Sequence, residues 1–239
     1  ADIYDERILN EKIFFCYDTY PRTRQPRIMN KMYVNNIGNI INESERHVFF
    51  LGKGCNEYED IIRELVDKTG IPVATTMHAM GIFPERHELS LGMCGMHGSY
   101  AANMALQNAD CIINIGARFD DRTTGNVREY GRKADNIIHC NIEESEINKN
   151  VGATHPIVGD AGEFCEKLIR CVRKTDNNEW KDNVQGWKQA RPYQYKNDDT
   201  LRVPDVLKSF DMYKECSDIC AFGVGNHLMM DAEQQNQIQ

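Results

Sequence analysis

Cys111-Ile-Ile-Asn-Ile115, followed without a break by Gly116-Ala-Arg-Phe-Asp-Asp-Arg-Thr-Thr-Gly125, is the stretch on which the fold turns. The apolar run is too short for an ordinary helix, and its β-branched residues suit a buried strand. The charged turn then sits at the carboxyl end of that strand, where open α/β sheets bind their ligands. Arg118 and Arg122 bracket Asp120 and Asp121, and planar guanidinium groups so placed match a phosphate-bearing nucleotide. An isolated turn of this composition is also ordinary solvated surface, whose ion pairs stabilise little. Its flanks decide between the two.

Outward from that stretch, strand, turn and helix alternate. On the amino side His47-Val-Phe-Phe-Leu51 runs into Gly52-Lys-Gly54, and a helix is expected over Glu57 to Lys68 with Ile61, Ile62, Leu65 and Val66 on one face. A glycine turn ahead of a helix gathers free N–H groups and the positive end of the helix dipole, a phosphate site. It is equally a tight turn that needs glycine's backbone freedom. A further helix is expected over Ile28 to Asn42, and Gly70-Ile-Pro-Val-Ala74 reads as a strand ending in Thr75-Thr76-Met77, where the two threonine hydroxyls are able to line the same cleft. Gly95-Met-His-Gly98 precedes a helix over Ser99 to Ala109 that Ser99 is suited to cap. On the carboxyl side, Asn136 to Ile142 reads as a strand ending at Glu143-Glu144. Pro156 to Asp160 reads as another, and Ala161 to Val172 as a helix. Five such alternations predict an α/β fold, a parallel sheet of five or six strands covered by helices on both faces.

At 239 residues the chain can bury one sizeable core, or one domain and part of a second. A net charge of −8 and the lack of any long Lys or Arg run argue against nucleic acid as a partner. No apolar segment approaches the roughly 20 residues needed to span a membrane, and Ala1 to Glu6 carry no signal-peptide pattern. The nine cysteines are scattered, with Cys111 and Cys140 inside expected strands, which predicts reduced core thiols of an intracellular compartment. His78, His87 and His97 lack the spacing of a helical metal pair and Cys216-x3-Cys220 lacks a second pair, so no metal ligands are predicted. Lys174 to Leu201 turns polar, with Trp180 and Trp187 seven apart on a short helix, and reads as an interdomain linker. Pro204 to Tyr213 as helix and Ile219 to Phe222 as strand then begin another α/β unit.

The decapeptide Gly116 to Gly125 closely resembles a signature of the acetohydroxyacid synthase (acetolactate synthase) catalytic subunit, in its flavin-containing biosynthetic form. Gly70-Ile-Pro-Val-Ala-Thr-Thr76, Leu89-Ser-Leu-Gly-Met-Cys-Gly-Met-His-Gly98 and Gly223-Val-Gly-Asn-His227 resemble the same family, and the likeness runs from about Arg24 to Glu233. The resemblance implies a Rossmann-like central FAD-binding domain over 28–173, the central domain of thiamine-diphosphate enzymes. It makes 1–27 a connector from an N-terminal domain, 174–202 a linker and 203–239 the truncated start of the thiamine-diphosphate domain. It further implies flavin contacts from Arg24; from Gly52, Lys53 and Gly54; from Thr75, Thr76 and Met77; and from Met96 and His97. The central turn would add Gly116, Ala117, Arg118, Asp120, Arg122 and Thr123, and the last strands Asn141, Ile142 and Asp160. Gly225, Asn226 and His227 would touch thiamine diphosphate.

In that family two pyruvates, or pyruvate and 2-oxobutyrate, condense with release of carbon dioxide in branched-chain amino-acid biosynthesis. Thiamine diphosphate and Mg²⁺ serve the full-length enzyme. The activating glutamate and the Mg²⁺ motif belong to flanking domains, so the resemblance implies no catalytic residue here and an inactive chain on its own. It also implies 2-oxo acids as substrates, a homodimer or homotetramer, a regulatory subunit in some members, and a cytoplasmic, mitochondrial or plastid location. The chain departs from the pattern at Asn141, where an acidic residue is usual. It departs again at Asn226 and Leu228, which replace glutamines, at Asp231, and in the tail after Glu233. Two alternatives stay open: another FAD-containing thiamine-diphosphate enzyme such as a glyoxylate carboligase, and a nucleotide-binding module without catalysis.

The thiol expectation is directly measurable. Titration with an Ellman-type reagent under denaturing, non-reducing conditions is expected to return close to nine thiols per chain; about half that number would establish disulfides instead.

Overall fold

The computed structural model describes residues 27–191, 200–213, 223 and 225–235. Seven strands form one sheet in which every pairing is parallel. They are β1 (Arg27–Ile28), β2 (His47–Leu51), β3 (Val73–Thr75), β4 (Ser90–Met93), β5 (Cys111–Ile115), β6 (Asn136–Asn141) and β7 (His155–Val158). The helices in chain order are α1 (Lys31–Glu43), α2 (Glu59–Thr69), α3 (Tyr100–Asn108), the single turn α4 (Asp121–Thr124), α5 (Ala161–Leu168), α6 (Asn178–Ala190), α7 (Val203–Tyr213) and α8 (Asn226–Gln235). Across the sheet the order is β1-β7-β6-β5-β2-β3-β4. From β2 the chain winds outward through β3 and β4, returns to lay β5 on the other side of β2, and winds outward again. The reversal between β2 and β5 is the topological switch point of a doubly wound sheet.

The strands are mostly apolar and almost wholly buried because both faces of the sheet are covered. Along β2, Phe49 and Leu51 enter one core with α1, α2 and α5, through Ile37, Ile41, Ile62, Leu65, Phe164 and Leu168. Val48 and Phe50 point the other way and enter a second core with α3 and α6, where Ala102, Leu106, Ile112, Trp180 and Val184 meet. The period of two along each strand sends alternate side chains into two separate cores.

Most helix starts are fixed by side-chain caps that satisfy otherwise unpaired N–H groups. Asn30 accepts from Tyr33 N, Ser99 from Ala102 N, and Asp160 from Glu163 N. The Ser99 cap is the one expected from sequence. Three differences concern the strands. Arg27–Ile28, expected as the end of a connector and the start of a helix, pairs with β7 as β1, and the helix begins at Lys31, after the Asn30 cap. β3 begins at Val73, since Pro72 has no N–H to donate to a ladder, although its carbonyl accepts from Phe49 N at 2.9 Å. β4 escaped sequence reading because Ser90-Leu-Gly-Met93 is short, contains glycine, and pairs with β3 through a register shift at Val73/Ala74.

The polar stretch after Lys174 is bound to the sheet. Thr175 donates through both N–H and hydroxyl to Thr69 O, at 2.8 and 2.9 Å. Trp180, 3% exposed, packs in the second core and donates Nε1–H to His47 O at 2.9 Å, with Trp187 edge-on at 5.5 Å between centroids. Gln185 and Lys188 both donate to Glu88 O at 3.0 Å. The seven-residue spacing of the tryptophans therefore marks the buried stripe of a docked helix. The expected strand Ile219 to Phe222, residues 1–26 of the expected connector 1–27, residues 192–199 of the expected linker and the tail 236–239 lie outside the described residues.

Replacing Trp180 by Ala is expected to cost about 3–5 kcal/mol of unfolding free energy, the range for a buried large aromatic. Trp180→Phe, which loses chiefly the hydrogen bond, is expected to cost about 0.5–1.5 kcal/mol. Urea unfolding of both variants checks this, and a near-neutral Trp180→Ala would show that α6 is not part of the core.

Candidate functional site

At the switch point the turns leaving β2 and β5 meet backbone to backbone. The ladder runs on past the strand ends, with Gly52 N donating to Ile115 O at 2.9 Å and Gly54 N to Gly116 O at 3.0 Å. A Cβ on Gly52 would lie 2.2 Å from Ala117 Cα, and one on Gly116, whose φ is +65°, would lie 2.7 Å from Gly54 Cα. No L side chain fits there. The two glycine turns close on each other as a backbone-to-backbone seat at the sheet's carboxyl edge.

The free N–H groups expected in the β2 turn are not free. Besides Gly52 and Gly54, Cys55 N donates to Gly52 O and Asn56 N to Lys53 O. Helix α2 starts only at Glu59, after Glu57 at φ 74°, with no side-chain cap. Its positive end is thus displaced from the glycines, and the expected combination of glycine turn and helix dipole does not form there. Lys53 is exposed at the turn's tip.

The β5 turn is anchored from beneath, which separates it from a merely solvated loop. Phe119, 2% exposed, stacks on Phe50 and lies edge-on to Tyr130 and His139 at 5.4 and 5.0 Å. The peptide of Ala117 is held on both sides. Its N–H donates to Asn114 Oδ1 at 3.1 Å, and its carbonyl accepts from His139 Nε2 at 2.9 Å and Asn141 Nδ2 at 3.4 Å. Sequence reading missed Asn114, Phe119 and His139. The available signal was polar or aromatic residues at positions that the apolar pattern places inside.

Above this anchor the charged side chains point outward. Arg118 reaches Asp120 at only 3.9 Å and both are well exposed, an ion pair of small energetic consequence. Asp120 caps α4 by accepting from Thr123 N at 2.9 Å, and Thr124 donates its hydroxyl to Asp120 O. Arg122 O accepts from Met96 N at 2.9 Å, joining the turn to the β4–α3 loop that carries Met96 and His97. At the end of β3, Thr75 Oγ1 is buried without a hydrogen-bond partner among the described residues, with Thr76 and Met77 following half-buried. On the other flank Asp160 accepts from Tyr58 OH at 2.9 Å while capping α5. Asn141 is occupied locally, accepting from Glu143 N at 2.9 Å, and Ile142 beside it is 72% exposed. All these groups lie on the carboxyl edge of one sheet. Gly225 and Asn226, at the start of α8, belong to a separate element, where His227 is the second helical residue. Arg24 lies outside the described residues.

The groups beneath the site are held neutral. Burial pushes the Cys55 thiol up to about 12 and the Cys94 and Cys140 thiols higher still. Six cysteines are free thiols among the described residues. Among the same residues no group of three or more His, Cys, Asp or Glu has metal-binding geometry. His139 is lowered from 6.5 to about 4, chiefly by burial, against smaller opposing effects of the Ala117 hydrogen bond and Glu146. Its Nδ1 has no partner among the described residues, so a second proton would have nowhere to donate.

That shift sets a pH dependence. The folded pKa lies below the unfolded one, so the unfolded chain takes up the proton first as pH falls. The contribution is fully present above about pH 6.5 and is lost down to about pH 4. His47, lowered by burial, adds in the same direction. Urea unfolding is expected to show stability falling over that window, by up to about 1.4 kcal/mol per pH unit per histidine. His139→Gln keeps a donor for Ala117 O and is expected to show a shallower slope; an identical slope would remove His139 from the account.

Comparison with known proteins agrees with this architecture. Residues 34–168, more than half of the chain, match the family model described as thiamine pyrophosphate enzyme, central domain. The acetolactate synthase large subunit of Corynebacterium glutamicum is 38% identical over 204 residues, covering 81% of this chain and 32% of that protein. The chloroplastic acetolactate synthase 2 of Nicotiana tabacum is 33% identical over 218 residues, 88% of this chain and 33% of its own length. The large subunit from Lactococcus lactis is 38% identical over 194 residues, 80% and 34% respectively. The chain spans about a third of the length of these curated relatives. The matched span runs from α1 to the end of α5 and carries the switch point with both glycine turns, and on that ground the chain belongs to the thiamine pyrophosphate enzyme central-domain family.

Proposed function

We propose that the sheet and its helices, residues 28–173, hold FAD within the catalytic subunit of an acetolactate synthase. The observation that carries this reading is the seat at the switch point. Two turns there approach too closely for any side chain, and Thr75 Oγ1 is left buried and unpaired at the neighbouring strand end. A buried hydroxyl without a partner costs about 1–3 kcal/mol unless a ligand or water satisfies it. A glycine-lined surface lets a planar or phosphate-bearing ligand lie against backbone. The residues therefore fit a dinucleotide. Arg118 and Arg122, on the outer side of the β5 turn, supply cations for its charged portion, and the names of the relatives supply the enzyme.

In this reading the complete subunit joins two pyruvates, or pyruvate and 2-oxobutyrate, with release of carbon dioxide. Thiamine diphosphate, with Mg²⁺, would supply the carbanion chemistry. This chain's residues do other work: the glycine turns seat the flavin, Arg118 and Arg122 neutralise and orient it, and Thr75 donates to it. The flavin is structural in the family that the chain resembles. Residues 174–202 connect this domain to the thiamine-diphosphate domain, which begins at 203 and includes Gly225, Asn226 and His227. Assembly into a homodimer or homotetramer, with a regulatory subunit in some members, follows the same resemblance. Among the described residues no helix is long and apolar enough to cross a membrane.

Flavin titration by fluorescence quenching, on wild type and Arg118→Lys, tests the reading. Lysine keeps the charge and loses the planar fork. Losing a charge-assisted contact of about 1.5–3 kcal/mol is expected to weaken FAD about ten- to hundred-fold, with flavin-free melting temperatures nearly equal, because the 3.9 Å pair with Asp120 is exposed. Equal affinities would remove Arg118 from the site. A large drop in the flavin-free melting temperature would make the turn's role structural.

A further inference from the structure

The loop from Cys94 to Ser99 joins β4 to α3, and one side chain grips its backbone. Gly95 N donates to Asn103 Oδ1 at 2.8 Å, and Asn103 Nδ2 donates back to Gly95 O at 3.0 Å. A single primary amide thus pairs with both polar groups of one residue, as a neighbouring strand would, and Gly95 O also accepts from Gly98 N at 3.0 Å. Gly95 sits at φ +104°, and a Cβ there would lie 2.5 Å from Arg122 O. The next residue, Met96, donates its N–H to that same carbonyl at 2.9 Å. Asn103, Gly95, Met96 and Arg122 therefore form a continuous run of backbone-directed bonds from α3 to the β5 turn.

Packing holds this loop at its ends, where Cys94 is buried in the second core and Gly98 lies against the Cys94 backbone, and leaves Gly95 and Met96 open. A cavity of about 240 Å³ opens against it, lined by Gly95, Met96, Asn103, Gln107, Thr123 and Tyr130 among others. Met96 is 63% exposed. With open space on one side and solvent on the other, the position of these two residues depends on their hydrogen bonds. The amide that supplies two of them stands on a fixed base. Helix α3 is capped by Ser99 and buried against the second core through Ala101, Ala102, Ala105 and Leu106.

We propose that Asn103 is a positioning residue of the flavin site: by clamping Gly95 it sets Met96 and His97, and through Met96 the Arg122 carbonyl, at the height the flavin requires. This rests on the flavin reading given above. A rigid base, a bidentate clamp and a close glycine contact together pre-organise the loop, so that binding need not order it. The sequence contains no motif that singles Asn103 out, since an asparagine in mid-helix reads as an ordinary exposed residue.

The test pairs hydrogen–deuterium exchange of the flavin-free chain with FAD titration, on wild type, Asn103→Leu and Asn103→Asp. Leucine is near in size and loses both bonds; aspartate keeps the acceptor for Gly95 N–H and loses the donor, which guards against a leucine variant that fails to fold. Expected are about tenfold faster exchange at residues 95–98 in Asn103→Leu, unchanged protection of β2 and β5, and about tenfold weaker FAD at an unchanged flavin-free melting temperature. Asn103→Asp is expected to show the same changes to a smaller degree. Unchanged exchange at 95–98, or a lowered melting temperature with FAD affinity intact, would overturn the proposal. FAD affinity that falls in Arg118→Lys but not in Asn103→Leu would overturn it while leaving the flavin reading standing. Absence of FAD binding by wild type under conditions where the chain is folded would overturn both.

Discussion

The backbone contact between the β2 and β5 turns is the constraint on which the other features depend. Gly52 and Gly54 lie against Gly116 and Ala117 with no room for a methyl group. The hydrogen bonds that hold them extend the β2–β5 ladder, in which Leu51 stands opposite Ile115. Because the two strands end in register, the turns emerge side by side and close the switch point. Had either turn carried a side chain, the strands would have to separate or the seat would be filled. Thr75 on one flank and Asp160 on the other lie on the same carboxyl edge of the sheet as this junction.

Holding the junction requires polar groups inside the protein, and these carry a cost. Asn114 is fully buried in the central strand and His139 in its neighbour. Each spends one polar atom on the Ala117 peptide, while Asn114 Nδ2 and His139 Nδ1 have no partner among the described residues. Such groups destabilise a core unless they fix a conformation that apolar residues could not. Here they fix a turn whose outer side is charged and whose inner side is the aromatic cluster around Phe119. Burial keeps the histidine neutral and the thiols protonated. What this construction provides is an uncharged floor beneath the exposed Arg118 and Arg122.

The second core has a further consequence. Helix α6 covers the face that α3 alone would leave partly open, with Trp180 reaching the first residue of β2 and with Gln185 and Lys188 fastening Glu88 just before β4. A polar segment that follows β7 and α5 in sequence therefore completes this core in space. The strand that its bonds reach, β2, is the one that ends in the first glycine turn.

The sequence by itself determined the period of the pattern: apolar runs at His47–Leu51, Cys111–Ile115 and Asn136–Asn141 separated by helical stretches leave little besides a parallel sheet covered on both faces. It also placed Gly116 to Gly125 at a strand's carboxyl end, and Ser99 as a cap, because both depend on local backbone chemistry. Only the tertiary structure decided which turns touch. It showed that Gly52 N–H and Gly54 N–H are consumed by the carbonyls of Ile115 and Gly116. It showed also that β4 exists, that Trp180 is buried, and that Asn103, Asn114 and His139 hold the site from below. Periodicity reports which face of an element is buried, since burial repeats along the chain with the element's own geometry. It carries no information about pairings between residues far apart in sequence, and the seat at the switch point is made of such pairings, the β2 turn meeting the β5 turn across more than sixty intervening positions.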